Sequence, residues 1–240
     1  MLFRSVPKND ALLVATCSGY TSYSYGFVLT PAELLQFTDR PASRAGIDRA
    51  MRLYLRGKNY CMRALEVRYP GIGKRLMADP EAALAKTTKK DVELLYWTAA
   101  SWGSAMSLGK DQPDLVIDFP IVRALANRAL ALDPGWSNGS IHELFITLDS
   151  QPAELGGSAE NARKHFAEAI RIQKGQLPGP YLELAEGQSI FNQDRAEFEK
   201  LMNQAIALDA NAQPSVRLVS LIMQDRARGL LAHINELFSK

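Results

Sequence analysis

The sequence predicts an all-α fold, an array of degenerate helical repeats. Three observations carry this prediction. Apolar residues recur at three- and four-residue steps in one segment after another, while alternating strand patterns are scarce. Turn signals separate those segments, notably Asp133-Pro134-Gly135 and the SQPAELGGS stretch at 150–158. One helix ending is written three times, around Ala129, Ala169 and Ala205, at spacings of 40 and 36 residues.

The elements follow in order. An amphipathic helix is expected over 9–29, with Leu13, Tyr20, Tyr23 and Phe27 near one face. The same stretch carries LLVATC ending at Cys17, with Arg4 and Lys8 upstream, which resembles the end of a lipoprotein signal. Its apolar run of about six residues falls short of the usual 7 to 15. Thr16 is also larger than the residue that normally precedes a lipidated cysteine. Ile47, Met51, Tyr54, Cys61 and Leu65 mark a helix over 42–68. The next spans 91–108, with Gly109 as its stop. A helix over 120–132 ends at the Asp-Pro-Gly turn, and another covers 138–148. Ser158 caps a helix through Ala162, Phe166 and Ala169. Segments 177–191, 194–208 and 214–238 complete the series. At 240 residues the chain can bury a sizeable core, and it is read as a single all-α domain over 1–240.

Ala64 fits the same frame as the three repeated endings, with Pro70 near the place of Pro134. The tetratricopeptide repeat has a period of about 34 and two antiparallel helices per unit. Ala162, Phe166 and Ala169, at steps of four and three, match its second helix, and Gly57 with Tyr60 matches its first. A small residue lets neighbouring helices approach and a large one fills the gap beside it, so pairs stack to bury what one pair cannot. A plain helical bundle is the alternative.

Composition excludes several classes. Apolar residues make up 47% and charged residues 22%, with a formal net charge of +2, so no global charge argument for nucleic acid exists. No apolar run approaches the roughly 18 residues of a membrane span. Cys17 and Cys61 lie 44 residues apart without CxxC spacing, which argues against zinc. Two buried thiols and one disulfide both remain open for them.

No catalytic constellation emerges, and neither enzyme activity nor a cofactor or metal is expected. His142, His165 and His233 are scattered and read as surface or internally satisfied side chains, and HELFI lacks the second histidine of a zinc-protease helix. GSAMSLGK has five residues between its glycines where a phosphate loop needs four. GIGKRL lacks the third glycine of a dinucleotide fingerprint, and no Gly-x-Ser-x-Gly elbow occurs.

Two features could bind something. Residues 40–75 hold ten basic and two acidic residues, a local balance of +8. Arg49, Arg52, Arg56 and Arg63 share a helical face there. That face is either merely solvated or docks an acidic partner or a carboxylate solute. GYTSYSYGF gathers Tyr20, Tyr23, Tyr25 and Phe27, and YWTAASW gathers Tyr96, Trp97 and Trp102. These rings are either core or the wall of an apolar ligand cavity. The hydroxyls beside Tyr23, Trp97 and Trp102 favour the wall.

Residues 129–170, ALALDPGWSNGSIHELFITLDSQPAELGGSAENARKHFAEAI, resemble the core of the TRAP-transporter-associated tetratricopeptide proteins, the TatT or T-component family. The Leu155–Ser158 loop leading into the Ala162–Ala169 helix is the most specific piece. LLVATCSGYTSYSYGFV, YLELAEGQSIFNQDRAEF and RLVSLIMQDRARGLLAHINELF support it, so the resemblance covers nearly the whole chain. It implies a non-catalytic periplasmic accessory protein that handles or relays a small organic solute with the TRAP solute-binding protein. It further implies a lipid anchor carried on a segment outside this chain. Homo-oligomerisation, as a trimer, is also expected, and no nucleic-acid partner. A general tetratricopeptide scaffold that binds a peptide or protein segment is the competing function.

Overall fold

The computed structural model describes residues 7–109 and 112–238. Among them helix is the regular structure, with no strand, and no helix there is long and apolar enough to cross a membrane. The chain divides into two compact units. The first holds the residues up to Leu29 and Ala45–Asp133, and the second holds Thr30–Arg44 and everything from Pro134 onward.

The first unit begins with α1 (Asp10–Tyr23), capped by the Asn9 side chain, which accepts from the Leu12 amide at 2.9 Å. Its buried face runs through Leu13, Val14, Cys17 and Thr21, not through the Leu13–Tyr20–Tyr23–Phe27 stripe expected from the sequence. One turn of π-helix, Ser24–Leu29, then shifts the register. Tyr23 and Phe27 are left 46% and 54% exposed while Ser24 and Val28 are buried. The long α2 (Arg40–Arg68) gives this unit Ala50, Tyr54, Cys61, Ala64 and Leu65 as fully buried positions.

Cys17 of α1 and Cys61 of α2 form a disulfide, with a Cα–Cα separation of 5.4 Å, and neither is exposed. The pairing takes Cys17 out of contention for lipidation. One turn earlier on α2, a Cβ on Gly57 would lie 3.3 Å from the Cys17 carbonyl oxygen, so a side chain there would press on α1 at the crossing. Two short helices the sequence did not signal, Ile72–Ala78 and Pro80–Leu84, lead to α3 (Val92–Leu108) and α4 (Phe119–Leu132), which pack on each other. Arg68 ties the start of α1 to the residue before α3. It donates to Asp10 at 2.7 Å and to Asp91 at 3.0 Å, and Tyr69 donates to the same Asp91 at 2.7 Å.

In the second unit consecutive helices pack in pairs: α5 (Trp136–Asp149), α6 (Ala159–Gln173), α7 (Gly179–Leu184), α8 (Arg195–Ala207) and α9 (Arg217–Ala232). Alternate helices also meet, α5 with α7 and α7 with α9. A π-turn, Ala185–Ser189, extends α7. The first turn of α5 is left-handed at Ser137, Asn138 and Gly139. Ser158 caps α6, accepting from the Asn161 amide at 3.2 Å. Ala162, Ala169 and Ala205 are fully buried, as helix-contact positions should be, and Phe166 meets the edge of the Tyr181 ring at 5.8 Å.

The two glycines ahead of Ser158 have separate reasons. Gly156 has φ 77°, which disfavours any side chain. Gly157 has an ordinary φ, but a Cβ there would fall 1.6 Å from the Gln151 carbonyl oxygen. The segment expected as one helix over 214–238 breaks at His233 into α9 and the short Ile234–Leu237. Gln224 of α9 closes the end of α8, donating to the carbonyls of Ala205, Ile206 and Leu208 at 2.8–3.2 Å. The apolar core of the unit is built on Ile146, Leu182, Phe198, Met202 and Leu230.

Candidate functional site

The exposed side of α1 and α2 in the first unit is a strip of rings and guanidinium groups. Tyr20 and Tyr60 stack at 5.7 Å with an interplanar angle of 8°. Arg56 lies 5.8 Å from the Tyr20 ring centre and Arg63 lies 5.4 Å from that of Tyr60, both within cation–π range. Tyr23 stacks on Phe27 at 5.7 Å. Thr16, Gly19, Tyr20 and Tyr23 line an open hollow of about 280 Å³. Arg49, Arg52, Arg56 and Arg63 are all exposed on α2, which puts the basic stripe and the tyrosines on one accessible surface.

The three rings expected to line a cavity meet different fates. Tyr23 is open to solvent. Trp97 is half-buried and lies edge-on to Tyr96 at 5.0 Å. Trp102 is buried, 3% exposed, with the Lys58 ammonium 3.8 Å above its ring. Burial lowers the Lys58 pKa, and the charge of Asp118 opposes that shift. The neighbouring hydroxyls turn back on their own helix: Thr98 donates to the Leu94 carbonyl at 2.6 Å and Ser101 to that of Thr98 at 3.2 Å.

In the second unit, α5, α7 and α9 bring polar groups together that the sequence reading did not single out. Glu143 of α5 accepts from the Gln173 amide at the end of α6. Glu183 of α7 accepts from the Thr147 hydroxyl of α5. One turn along, Arg226 of α9 donates Nε and Nη2 to Glu186 at 2.7 and 2.5 Å, and Nη1 to Glu33 at 2.5 Å. Burial pushes both Glu143 and Glu183 up to about 7, against the hydrogen bond each accepts, and the charge of Glu183 raises Glu143 further. Gly179 makes room for this: a Cβ there would lie 2.2 Å from Glu143 Oε2. A sequence signal existed, since Glu183 interrupts an apolar run between Leu182 and Leu184.

The histidines are internally satisfied. Nδ1 of His142 and Nδ1 of His165 lie 2.9 Å apart, Phe145 stacks on His165 at 4.7 Å, and His233 stacks on Phe37 at 4.3 Å.

Comparison with known proteins gives two findings. A family model described as TRAP transporter T-component matches residues 1–238. The chain is also similar to an uncharacterized protein of Treponema pallidum (strain Nichols), at 30% identity over 240 residues, which span 97% of this chain and 73% of that protein.

Proposed function

The chain belongs to the TRAP transporter T-component family, and from that premise we propose that it is a non-catalytic accessory protein that works outside the cytoplasm. In this reading it docks on the solute-binding protein of its transporter and shares a small, partly apolar organic solute with it. The observation that carries the reading is the exposed strip of Arg49, Arg52, Arg56 and Arg63 beside Tyr20, Tyr23 and Tyr60. Arginine and tyrosine are the side chains most at home at protein interfaces, and a basic strip steers an acidic partner. The solute's apolar part belongs at the hollow beside Tyr23, with Trp97 and Trp102 as the deeper rings of the same unit. The buried Cys17–Cys61 disulfide supports an oxidising compartment such as the periplasm.

Replacing Arg49, Arg52 and Arg56 together by Glu tests the docking. Affinity for the cognate solute-binding protein, measured by calorimetry over a range of salt, should fall and lose its salt dependence, with the circular dichroism unchanged. Unchanged affinity and salt slope would make the stripe a solvated face. A second reading, a scaffold that binds a peptide segment, draws support from the polar side chains shared by α5, α7 and α9 in the second unit.

A further inference from the structure

The carboxylates of the second unit have fewer donors than they need. Glu143 uses Oε1 for Gln173 and Glu183 uses Oε2 for Thr147, and among the described residues no hydrogen bond reaches Glu143 Oε2 or Glu183 Oε1. Arg226 is already committed to Glu186 and Glu33. Both free carboxylates are half-buried, so water and small solutes can still reach them.

Gln173 supplies an independent observation. It is 4% exposed, and its Oε1 is buried without a hydrogen-bond partner. Glu143 fixes the orientation of that amide. When Glu143 is ionised it accepts, so Nε2 faces it and the bare oxygen is left beside it. Leaving a buried acceptor without a donor is costly, which is a reason to expect that something else donates.

Two carboxylates repel a carboxylate guest. A metal ion fits poorly too, since no group of three or more His, Cys, Asp or Glu able to hold one occurs among the described residues. We infer that Glu143 Oε2 and Glu183 Oε1, on the packed helices α5 and α7, accept from the ammonium head of a small organic amine, beside the bare Gln173 Oε1 at the end of α6. Glu186, Glu33 and Arg226 are the charged groups that act on Glu183, and they add one further net negative charge. The site lies in the second unit and does not depend on the arginine strip of the first.

The test is calorimetry on the full chain with n-butylamine and 1,4-diaminobutane, using butyrate and n-butanol as controls of equal length. The amines should bind and the controls should not. Amine affinity should rise as pH increases from about 6 to 8, because the carboxylates ionise across that range while the amines stay charged. Replacing Glu143 and Glu183 together by Gln should weaken amine binding at least about tenfold, the size of a lost charge-assisted hydrogen bond. Gly179→Ala, which intrudes on Glu143, should weaken it as well. If the double variant does not fold by circular dichroism, Gln173→Leu and the pH series on the unaltered chain decide. The proposal is overturned by equal amine binding in variant and parent, by butyrate binding as well as the amines, by affinity independent of pH, by calcium binding in place of amine, or by no amine binding at all.

Discussion

The disulfide offers the largest single perturbation. Cys17 and Cys61 close a loop of 44 residues. Chain-entropy arguments assign a link over such a loop about 4 kcal/mol of stabilisation, by removing extended states from the unfolded ensemble. Both side chains have no exposure, so replacing them by alanine also leaves small voids, which act in the same direction. For a chain of this length, about 4 kcal/mol corresponds to a fall in melting temperature of about 8–16 °C. The perturbation is Cys17→Ala with Cys61→Ala, followed by circular dichroism on heating, with and without a phosphine reductant. The parent should fall to the level of the variant when reduced, and the variant should not respond to reductant. A variant that melts within about 2 °C of the oxidised parent would refute the loop-entropy reasoning.

Other outcomes follow from particular contacts. Trp102→Ala should cost roughly 3–5 kcal/mol, the range for a buried ring, while Tyr23→Ala should cost well under half of that; equal losses in chemical denaturation would contradict the burial difference. Gly157→Ala should destabilise more than Gly156→Ala, because the first forces a Cβ into the Gln151 carbonyl while the second only strains φ. The reverse order in urea midpoints would be decisive against it. Burial raises Glu143 and Glu183 to about 7, above their unfolded value, so the folded state holds those protons more tightly. The associated stability is fully present below the unfolded pKa and is lost as pH rises through about 7. Glu143→Gln should therefore stabilise the chain at alkaline pH and do little in acid, and a pH-independent difference would count against the raised pKa.

Much of the architecture was legible because it depends on local periodicity. The Ser158 cap and the packing role of Ala162, Ala169 and Ala205 are statements about neighbours within a few residues, and the sequence carries them directly. Tyr23 lies off the buried face because α1 turns Val14, Cys17 and Thr21 inward beside Leu13, and Phe27 because a π-turn at Ser24–Leu29 adds a residue to one turn, which nothing in the spacing of side chains announces. The cysteine pairing was open because it is fixed by the distance between two helices 44 residues apart, and periodicity does not encode distance. Glu143 and Glu183 were passed over because a glutamate on an amphipathic helix is ordinarily solvated. Their meaning comes from Gly179 and Gln173, on other segments, that enclose Glu143.

The contact between Arg226 and Glu33 spans 193 residues of sequence. Close by, Gly229 leaves room for Leu34, whose Cδ2 would stand 2.6 Å from any Cβ added there. Glu33 and Leu34 must wait for α9, whose Arg226 follows Glu33 at a distance of 193 residues. Contacts this distant in sequence form slowly, since a large loop must close before they return anything. The second unit thus cannot close before α9 is present, and a chain cut short ahead of it leaves Glu33 without its arginine and Leu34 uncovered. Apolar surface left open in this way makes an incomplete product prone to aggregate.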